Sequence, residues 1–122
     1  MNKYSEMSDF EVNKKIANLL GFKNITKSSN QEILVESVSC GYGGFKTVII
    51  GKNYCSYYPD AFNLMIDNNI SLTALAYSNK TEWSASAFNS TGNKFIANSI
   101  NPCRAIAECY LLMKDAEKDN GD

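Results

Sequence analysis

Residues 81–113 read TEWSASAFNSTGNKFIANSINPCRAIAECYLLM, and this stretch decides the fold. Within its first eight residues, Trp83, Ala85 and Ala87 alternate with Ser84, Ser86 and Phe88, which predicts a β-strand with two different faces. The turn-forming sequence NSTGN follows, and KFIANS then predicts a second strand antiparallel to the first. Asn101 is a good N-cap and Pro102 fits a first helical turn. The stretch therefore predicts a β-hairpin followed directly by a helix, whose apolar stripe includes Ile106, Tyr110 and Met113.

Further elements are predicted on the N-terminal side of this unit. Ser8 and Glu11 form the S-x-x-E pattern of a capping box, and Gly21 is placed to end the first helix. The stretches EILVESVSC and FKTVIIGKNYCSYY predict two strands joined by GYGG at residues 41–44. Because GYGG lacks the GK[ST] ending of a P-loop, we interpret it as a hairpin turn. Pro59 opens a short helix, and SLTALAYS predicts one more strand.

The order of these elements predicts an α+β fold. Three helices and about five strands follow one another as α-β-β-α-β-β-β-α, and the short connections between consecutive strands favour an antiparallel sheet. The helices are expected to cover this sheet as an α/β sandwich. The 122 residues are enough for one domain with a real core, so we expect a single domain over residues 1–122.

Composition excludes several classes of function. The formal net charge of −1 gives no overall field that would attract DNA, and no stretch approaches the eighteen apolar residues of a membrane span. The first ten residues are polar, so we expect a cytosolic protein with reduced thiols. The absence of histidine excludes catalytic triads built on histidine and histidine-ligated metals. The four cysteines form no CxxC pair, so we expect no metal and no cofactor, and Cys103 and Cys109 are expected to be buried.

Arg104 is the only arginine in the chain, and it lies in the first turn of the last predicted helix. A cation there opposes the helix dipole unless another group is present. A bound phosphate would be held by both the guanidinium and the free N–H groups of the helix end. A salt bridge to Glu108, one turn later, explains the position equally well. Both interpretations remain open at the level of the sequence.

The predicted hairpin carries a second group of candidate residues. Alternation places Trp83, Ala85 and Ala87 on one face of the strand and Phe88 on the other. The small residues leave room for a packed helix or for a flat ligand, and Trp83 is either part of the core or a stacking surface. The amides and hydroxyls of NSTGN, followed by Lys94, either bind ribose or base groups or simply form the turn.

Three segments together resemble a family of small phage proteins, the NinX-like proteins, which include the anti-Thoeris sponges. The segments are SDFEVNKKIANLLG at residues 8–21, YPDAFNLMIDNNISL at residues 58–72 and, after Trp83, NPCRAIAECYLLM at residues 101–113. Residues 22–57 carry no matching motif. The strongest part of the resemblance is the last helix with Asn101, Pro102, Arg104, Ala105, Glu108 and Tyr110.

The resemblance implies a function without catalysis. Anti-Thoeris sponges bind and sequester cyclic ADP-ribose isomers, such as glycocyclic ADP-ribose, that bacterial TIR-domain enzymes make. The family resemblance implies a homo-oligomer, at least a dimer, in the cytoplasm of the infected bacterial host. Arg104 would then bind phosphate or stack on adenine, and Phe88 or Trp83 would stack on the other side. Polar contacts are expected from four amide side chains: Asn89, Asn93, Asn98 and Asn101. Only Arg104 and Asn101 belong to the matched motif.

Two other functions are compatible with the residues. A small phage accessory protein that inhibits a host protein would use an aromatic surface such as NYCSYYPDAF, with Tyr54, Tyr57 and Tyr58. An enzyme acting on nucleotides would use carboxylates, for which Asp60, Glu82 and Glu108 are candidates. No paired-carboxylate motif is present, so the sequence favours a binding protein over an enzyme.

Overall fold

The structure is a computed structural model that describes residues 2–23, 25–27, 34–41, 43–50, 52–76 and 80–121. Within these ranges the chain forms three helices and six strands, which run in the order α1 (Asp9–Leu19), β1 (Ile25–Lys27), β2 (Leu34–Gly41), β3 (Gly44–Ile49), α2 (Tyr58–Asp67), β4 (Ser71–Ala76), β5 (Thr81–Phe88), β6 (Lys94–Ser99) and α3 (Pro102–Gly121). The predicted α+β class and the positions of the three helices along the chain are confirmed.

The strands form two antiparallel sheets of three strands each, β1-β2-β3 and β4-β5-β6. Gly41 pairs with Gly44 in the first sheet, so β2 and β3 form a hairpin, as predicted. Strand β1 lies in a segment whose sequence predicts no strand. Its three residues are too few to show a two-residue periodicity, and it forms by pairing with β2. Residues 32, 33, 42, 51, 77 and 78 of the predicted strands and turn lie outside the described residues.

Helix α1 begins and ends where its sequence signals predict. The Ser8 hydroxyl accepts a hydrogen bond from the Glu11 amide at 3.2 Å, which caps the first turn. At the other end Gly21 has a φ of +107°, and its amide donates to the Asn18 carbonyl at 3.2 Å. The Phe22 amide donates to the Ala17 carbonyl at 3.1 Å, which completes a Schellman motif. Because glycine adopts a positive φ without strain, Gly21 fixes the end of the helix.

The main core lies between α3 and the second sheet. Helix α3 packs on β5 and β6, where Ala85, Ala87 and Ala97 are almost completely buried. Small side chains let the helix approach the sheet closely, so the alanine-lined part of this face holds a helix, not a ligand. Helices α1 and α2 pack on α3 in turn. None of the helices in the described parts of the chain is both long enough and apolar enough to span a membrane.

Candidate functional site

Arg104 lies in a buried network at the beginning of α3, and only 8% of its surface is exposed. Its Nε donates to Oε2 of Glu108 at 2.6 Å, and its Nη1 donates to Oδ1 of Asp9 at 2.5 Å. Its Nη2 donates to the backbone carbonyls of Tyr4 and Met7, both at 2.7 Å. The guanidinium therefore ties the N-terminal segment and α1 to α3.

These contacts correct the expectation that Arg104 binds a ligand. Four of the five N–H groups of the guanidinium donate hydrogen bonds within the chain. Of the two interpretations of Arg104, a bound phosphate and a salt bridge to Glu108, the structure contains the salt bridge. Burial alone would lower the pKa of Arg104, but the hydrogen bonds to Glu108 and Asp9 outweigh burial and raise this pKa. Both oxygens of Glu108 are engaged, since its Oε1 accepts from the side-chain Nδ2 of Asn2 at 3.0 Å.

Asn101 forms the predicted N-cap and is likewise used within the fold. Its Oδ1 accepts from the Cys103 amide at 2.9 Å, and its Nδ2 donates to the Cys55 carbonyl at 2.9 Å. The oxygen therefore caps α3, and the nitrogen holds α3 against the loop before α2. These two bonds explain Asn101 as part of the fold, and its contact with a ligand stays a prediction.

Trp83 and Phe88 lie on opposite faces of β5. Trp83 is half-buried and packs against the main core. Of the two roles considered for it, core residue and stacking surface, the structure shows the first. Phe88 is 64% exposed. Five residues separate the two along a strand, and an odd separation places side chains on opposite faces. The two rings therefore do not flank one ligand, and Phe88 alone remains as a stacking surface.

Phe88, Asn89 and Asn93 come together at the end of the β5–β6 hairpin. They line a groove of about 710 Å³ that also includes residues from α3. We call it the turn groove, and its lining residues are Phe88, Asn89, Ser90, Thr91, Asn93, Met113, Ala116 and Glu117. Its volume is in the range of small-molecule sites. Of the seven residues expected to bind a ligand, these three are brought together by the fold.

The turn itself is held by Asn89. The Asn89 Oδ1 accepts hydrogen bonds from the Thr91 amide at 3.1 Å, the Thr91 hydroxyl at 2.8 Å and the Asn93 amide at 2.9 Å. Gly92 has a φ of +88°, which closes the turn without strain. This oxygen is therefore occupied, and Asn89 organises the turn. The Asn93 side chain is exposed and makes no hydrogen bond within the described part of the chain.

Opposite charges lie at the two sides of the turn groove. Lys94 pairs with Phe88 across the hairpin, and its Nζ lies 5.7 Å from the centre of the Phe88 ring. This geometry is that of a cation–π contact. On the α3 side, Glu117 lines the groove and lies 3.3 Å from Nζ of Lys114. An anion in the groove is therefore favoured near Lys94, whereas on the α3 side Lys114 offsets part of the repulsion from Glu117.

Asn98 lies away from the turn groove. It is exposed and lines a separate hollow of about 570 Å³ together with Asn2, Ser5, Glu82 and Ile96. Four residues separate it from Lys94, which is about 13 Å along an extended strand. At this distance Asn98 does not reach the turn groove with Asn89 and Asn93. The expectation that the three amides lie together is corrected.

The remaining chemistry of the chain is distributed over separate places. Asp60 lies 3.5 Å from Nζ of Lys52, Glu108 belongs to the Arg104 network, and Glu82 lies in the hollow with Asn98. The three carboxylates considered for an enzyme therefore do not converge. Among the described side chains, no three His, Cys, Asp or Glu residues lie close enough together to hold a metal ion.

The thiols that the structure describes are buried, as predicted for Cys103 and Cys109. Burial raises the pKa of Cys109 to about 12. Burial, and then the charge of Asp9, raise the pKa of Cys55 to about 12. A thiol with so high a pKa is almost entirely protonated at neutral pH, so it is a poor nucleophile there.

The α3 side of the turn groove is not predicted by the sequence patterns. Met113, Ala116 and Glu117 follow the i, i+3, i+4 spacing of one helix side. Because α3 follows β6 directly and packs back on it, its later turns return to the hairpin end. That connection is the signal that would have located them. In comparisons with known proteins, the chain matched no protein-family model, no curated protein and no solved structure.

Proposed function

We propose that the protein binds and sequesters a cyclic ADP-ribose isomer, such as glycocyclic ADP-ribose, that a bacterial TIR-domain enzyme makes. It would act without cleaving the ligand, in the cytoplasm of a phage-infected bacterium, and would thereby inhibit Thoeris-type defence. The observation that carries this proposal is the exposed Phe88 ring beside a turn rich in amides, with Lys94 over the ring. The family resemblance of the three segments supplies the identity of the ligand.

Each part of such a ligand has a suitable group in the turn groove or, for the pyrophosphate, over the Phe88 ring that lines it. The adenine base would stack on the Phe88 ring, which is mostly exposed. The ribose hydroxyls or the base edge would be held by the Asn93 amide and the Ser90 hydroxyl, which both line the groove. The pyrophosphate would lie toward Lys94, because Glu117 repels it from the α3 side. Asn89 contributes indirectly, by holding the turn in shape.

Sequestration agrees with the chemistry available in the turn groove. Glu117 is the single ionisable side chain among the eight residues that line it. One carboxylate lacks the partner that acid–base cleavage of a glycosidic or phosphate ester bond requires. Affinity and slow release, in contrast, need only stacking, hydrogen bonds and one cation. The function is therefore proposed to depend on binding alone.

A capture experiment tests this proposal. The purified protein is mixed with the products of an activated TIR-domain enzyme, passed through a filter that removes free ligand, and then denatured, and the released molecules are identified by mass spectrometry. We expect one intact cyclic ADP-ribose isomer per site. Release of a changed product would support an enzyme instead, and release of no nucleotide would overturn the proposal in favour of a protein-interaction module.

The same experiment with two variants locates the site. We expect Phe88→Ala to retain much less ligand than the wild type, because it removes the stacking surface. Ile96→Ala removes another exposed apolar side chain, on β6 and outside the turn groove, and serves as the matched control. Equal loss in both variants would place the ligand elsewhere. We further propose that the protein acts as a homo-oligomer, at least a dimer.

A further inference from the structure

A second pocket, of about 440 Å³, lies between the three helices and the loop before α2. Leu19 and Leu20 at the end of α1, Asp67 at the end of α2, Tyr110 of α3 and Tyr54 of the loop are among the residues that line it. We call it the helix pocket. Its volume is in the range of small-molecule sites, and it shares no lining residue with the turn groove. A ligand in the helix pocket would therefore contact groups that the proposed function does not use.

Two tyrosine hydroxyls in the helix pocket have no hydrogen-bond partner in the described part of the chain. Tyr54 and Tyr110 are only 4% and 3% exposed. Among the described residues no fully buried side-chain oxygen or nitrogen lacks a partner, so these two hydroxyls must reach the open space of the pocket that they line. Burial, and then the charge of Asp60, raise the pKa of Tyr54 to about 12. Its hydroxyl therefore stays protonated at neutral pH and both donates and accepts hydrogen bonds.

Among the charged side chains that line the helix pocket, Asp67 alone has no partner of opposite charge within the described ranges. The Nζ of Lys52 lies 3.5 Å from Oδ1 of Asp60. The Nζ of Lys114 lies 3.3 Å from Oε2 of Glu117. Both lysines are thus compensated within the chain, whereas the Asp67 carboxylate is exposed and unpaired. The uncompensated charge of the helix pocket is therefore negative.

The ends of two helices add to this negative charge. Leu19 and Leu20 end α1, Asp67 and Asn68 end α2, and all four line the helix pocket. A helix C-terminus carries a partial negative charge, which a cation stabilises. Neither helix has a basic side chain in its last turn. Two helix ends and one free carboxylate therefore favour a cation that the chain itself does not supply.

We propose that the helix pocket binds a small organic amine that carries a hydroxyl or a similar hydrogen-bonding group at its far end. The ammonium would lie against Asp67 and the ends of α1 and α2. The polar end would bond to the hydroxyls of Tyr54 and Tyr110. Asp60, whose charge acts on the Tyr54 hydroxyl, lies seven residues before Asp67, which is about 10 Å along the helix. The ammonium and the polar end of the ligand are therefore separated by several carbon atoms.

Three matched probes separate the parts of this proposal. The terminal amino alcohol aminopentanol has both polar groups, pentylamine lacks the hydroxyl, and pentanediol lacks the ammonium. The hydrocarbon chain common to all three would contact the apolar part of the pocket lining, formed by Leu19, Leu20 and Leu64.

Each probe is titrated into the wild-type protein, and the side-chain amide signals of Asn63 and Asn68, which both line the pocket, are followed by NMR. We expect aminopentanol to give saturable shifts with a dissociation constant on the order of millimolar, and the other two probes to bind more weakly. Pentanediol that binds as tightly as aminopentanol would overturn the proposal. The absence of saturable shifts up to about 50 mM aminopentanol would also overturn it.

Asp67→Asn tests the position of the ammonium. Because an ion pair at an exposed carboxylate is weak, we expect aminopentanol to bind about 2- to 5-fold more weakly and pentanediol to bind as before. Glu82→Gln is the matched control, since it removes a carboxylate from β5, outside the helix pocket. Pentanoate that binds more tightly than pentylamine would show that Lys52 and Lys114 set the charge preference, and it would overturn the proposal.

Tyr54→Phe tests the position of the polar end. We expect aminopentanol to bind about 2- to 10-fold more weakly and pentylamine to bind as before. The urea midpoint of unfolding should not change, because no group in the described part of the chain bonds to this hydroxyl. Tyr4→Phe is the control, since it removes a hydroxyl that donates to Asp115 outside the helix pocket. If Tyr54→Phe and Tyr110→Phe both bind aminopentanol as the wild type does, the proposal is overturned, whatever the capture experiment gives.

Discussion

The beginning of α3 and the turn groove differ in whether their polar groups are bonded within the chain. At the beginning of α3, Arg104 and Glu108 are buried and satisfied by acceptors and donors of the same chain. At the hairpin end, the turn groove leaves the Phe88 ring and the Asn93 amide open. A strong charge in a cleft-like position is therefore no evidence for a ligand site until its partners are known. What distinguishes a site is the presence of groups that the fold does not use.

The largest effect is expected from removing the guanidinium. Arg104→Ala leaves the Glu108 carboxylate buried without its cation and leaves two carbonyls without donors. Breaking a buried ion pair from one side typically costs about 3–5 kcal/mol, and we expect the free energy of unfolding in urea to fall by this amount.

Arg104→Lys is the control for charge alone. Lysine keeps the positive charge but has one nitrogen in place of the planar fork, so it should recover only part of the loss. If Arg104→Ala changes the stability by less than about 0.5 kcal/mol and abolishes ligand capture, the comparison fails and Arg104 returns to the ligand site.

Raising the pH should lower the free energy of unfolding, because the Cys55 thiol ionises more readily in the unfolded protein. Unfolding lets the Cys55 thiol titrate near 9, whereas burial and Asp9 raise its pKa in the folded protein to about 12. The folded state therefore holds the proton longer, so its stabilising effect is complete below pH 9 and is lost as the pH rises toward 12. Each such thiol contributes a slope of about −1.4 kcal/mol per pH unit in this window.

Urea unfolding of the wild type and of Cys55→Ala between pH 8 and pH 10.5 measures this contribution. Alanine cannot titrate, so the stability difference between the two proteins should shrink by the stated slope above pH 9. A difference that stays constant with pH would show that Cys55 ionises equally well in the folded and unfolded protein. Cys109, whose pKa burial also raises to about 12, is predicted to behave in the same way.

Signals that act over a few residues made most of the fold predictable. Ser8, Gly21 and Asn101 form caps with neighbours no more than five residues away, and each ends or begins a helix as predicted. The partners of Arg104 could not be predicted in the same way. Asp9 lies 95 residues from Arg104 in the sequence, so only the folded chain shows that its carboxylate meets the guanidinium.

In the candidate site too, features set by neighbouring residues were predictable and features set by distant residues were not. Alternation along β5 predicted that Trp83 and Phe88 point to different faces, and the turn composition predicted a cluster of amides. The α3 side of the turn groove was not predicted, because it depends on where the last helix lies on the sheet. The sequence therefore predicted correctly which groups lie on the hairpin. It did not predict which of these groups other parts of the fold contact.

In the turn groove, Phe88→Ala should weaken ligand binding without changing the free energy of unfolding. Stacking of a base on an aromatic ring is worth about 1–3 kcal/mol, so titration calorimetry with a cyclic ADP-ribose isomer should show about 5- to 150-fold weaker binding. Because Phe88 is mostly exposed, the free energy of unfolding should change by less than about 0.5 kcal/mol. Unchanged affinity would remove the ring from the site.

The smallest expected effect is a gain in affinity from Glu117→Gln. The carboxylate on the α3 side of the turn groove repels the pyrophosphate of the proposed ligand, and glutamine removes the charge while keeping the shape. Since both charges are partly solvated, the repulsion is expected to be about 0.3–1 kcal/mol, which corresponds to about 2- to 5-fold tighter binding. Glu82→Gln is the matched control, because Glu82 lies in the hollow with Asn98 outside the groove. The gain should diminish as salt is added, since screening weakens an interaction between exposed charges. A gain of equal size in both variants would indicate that net charge alone sets the affinity, and it would place the anion at no particular position on the protein.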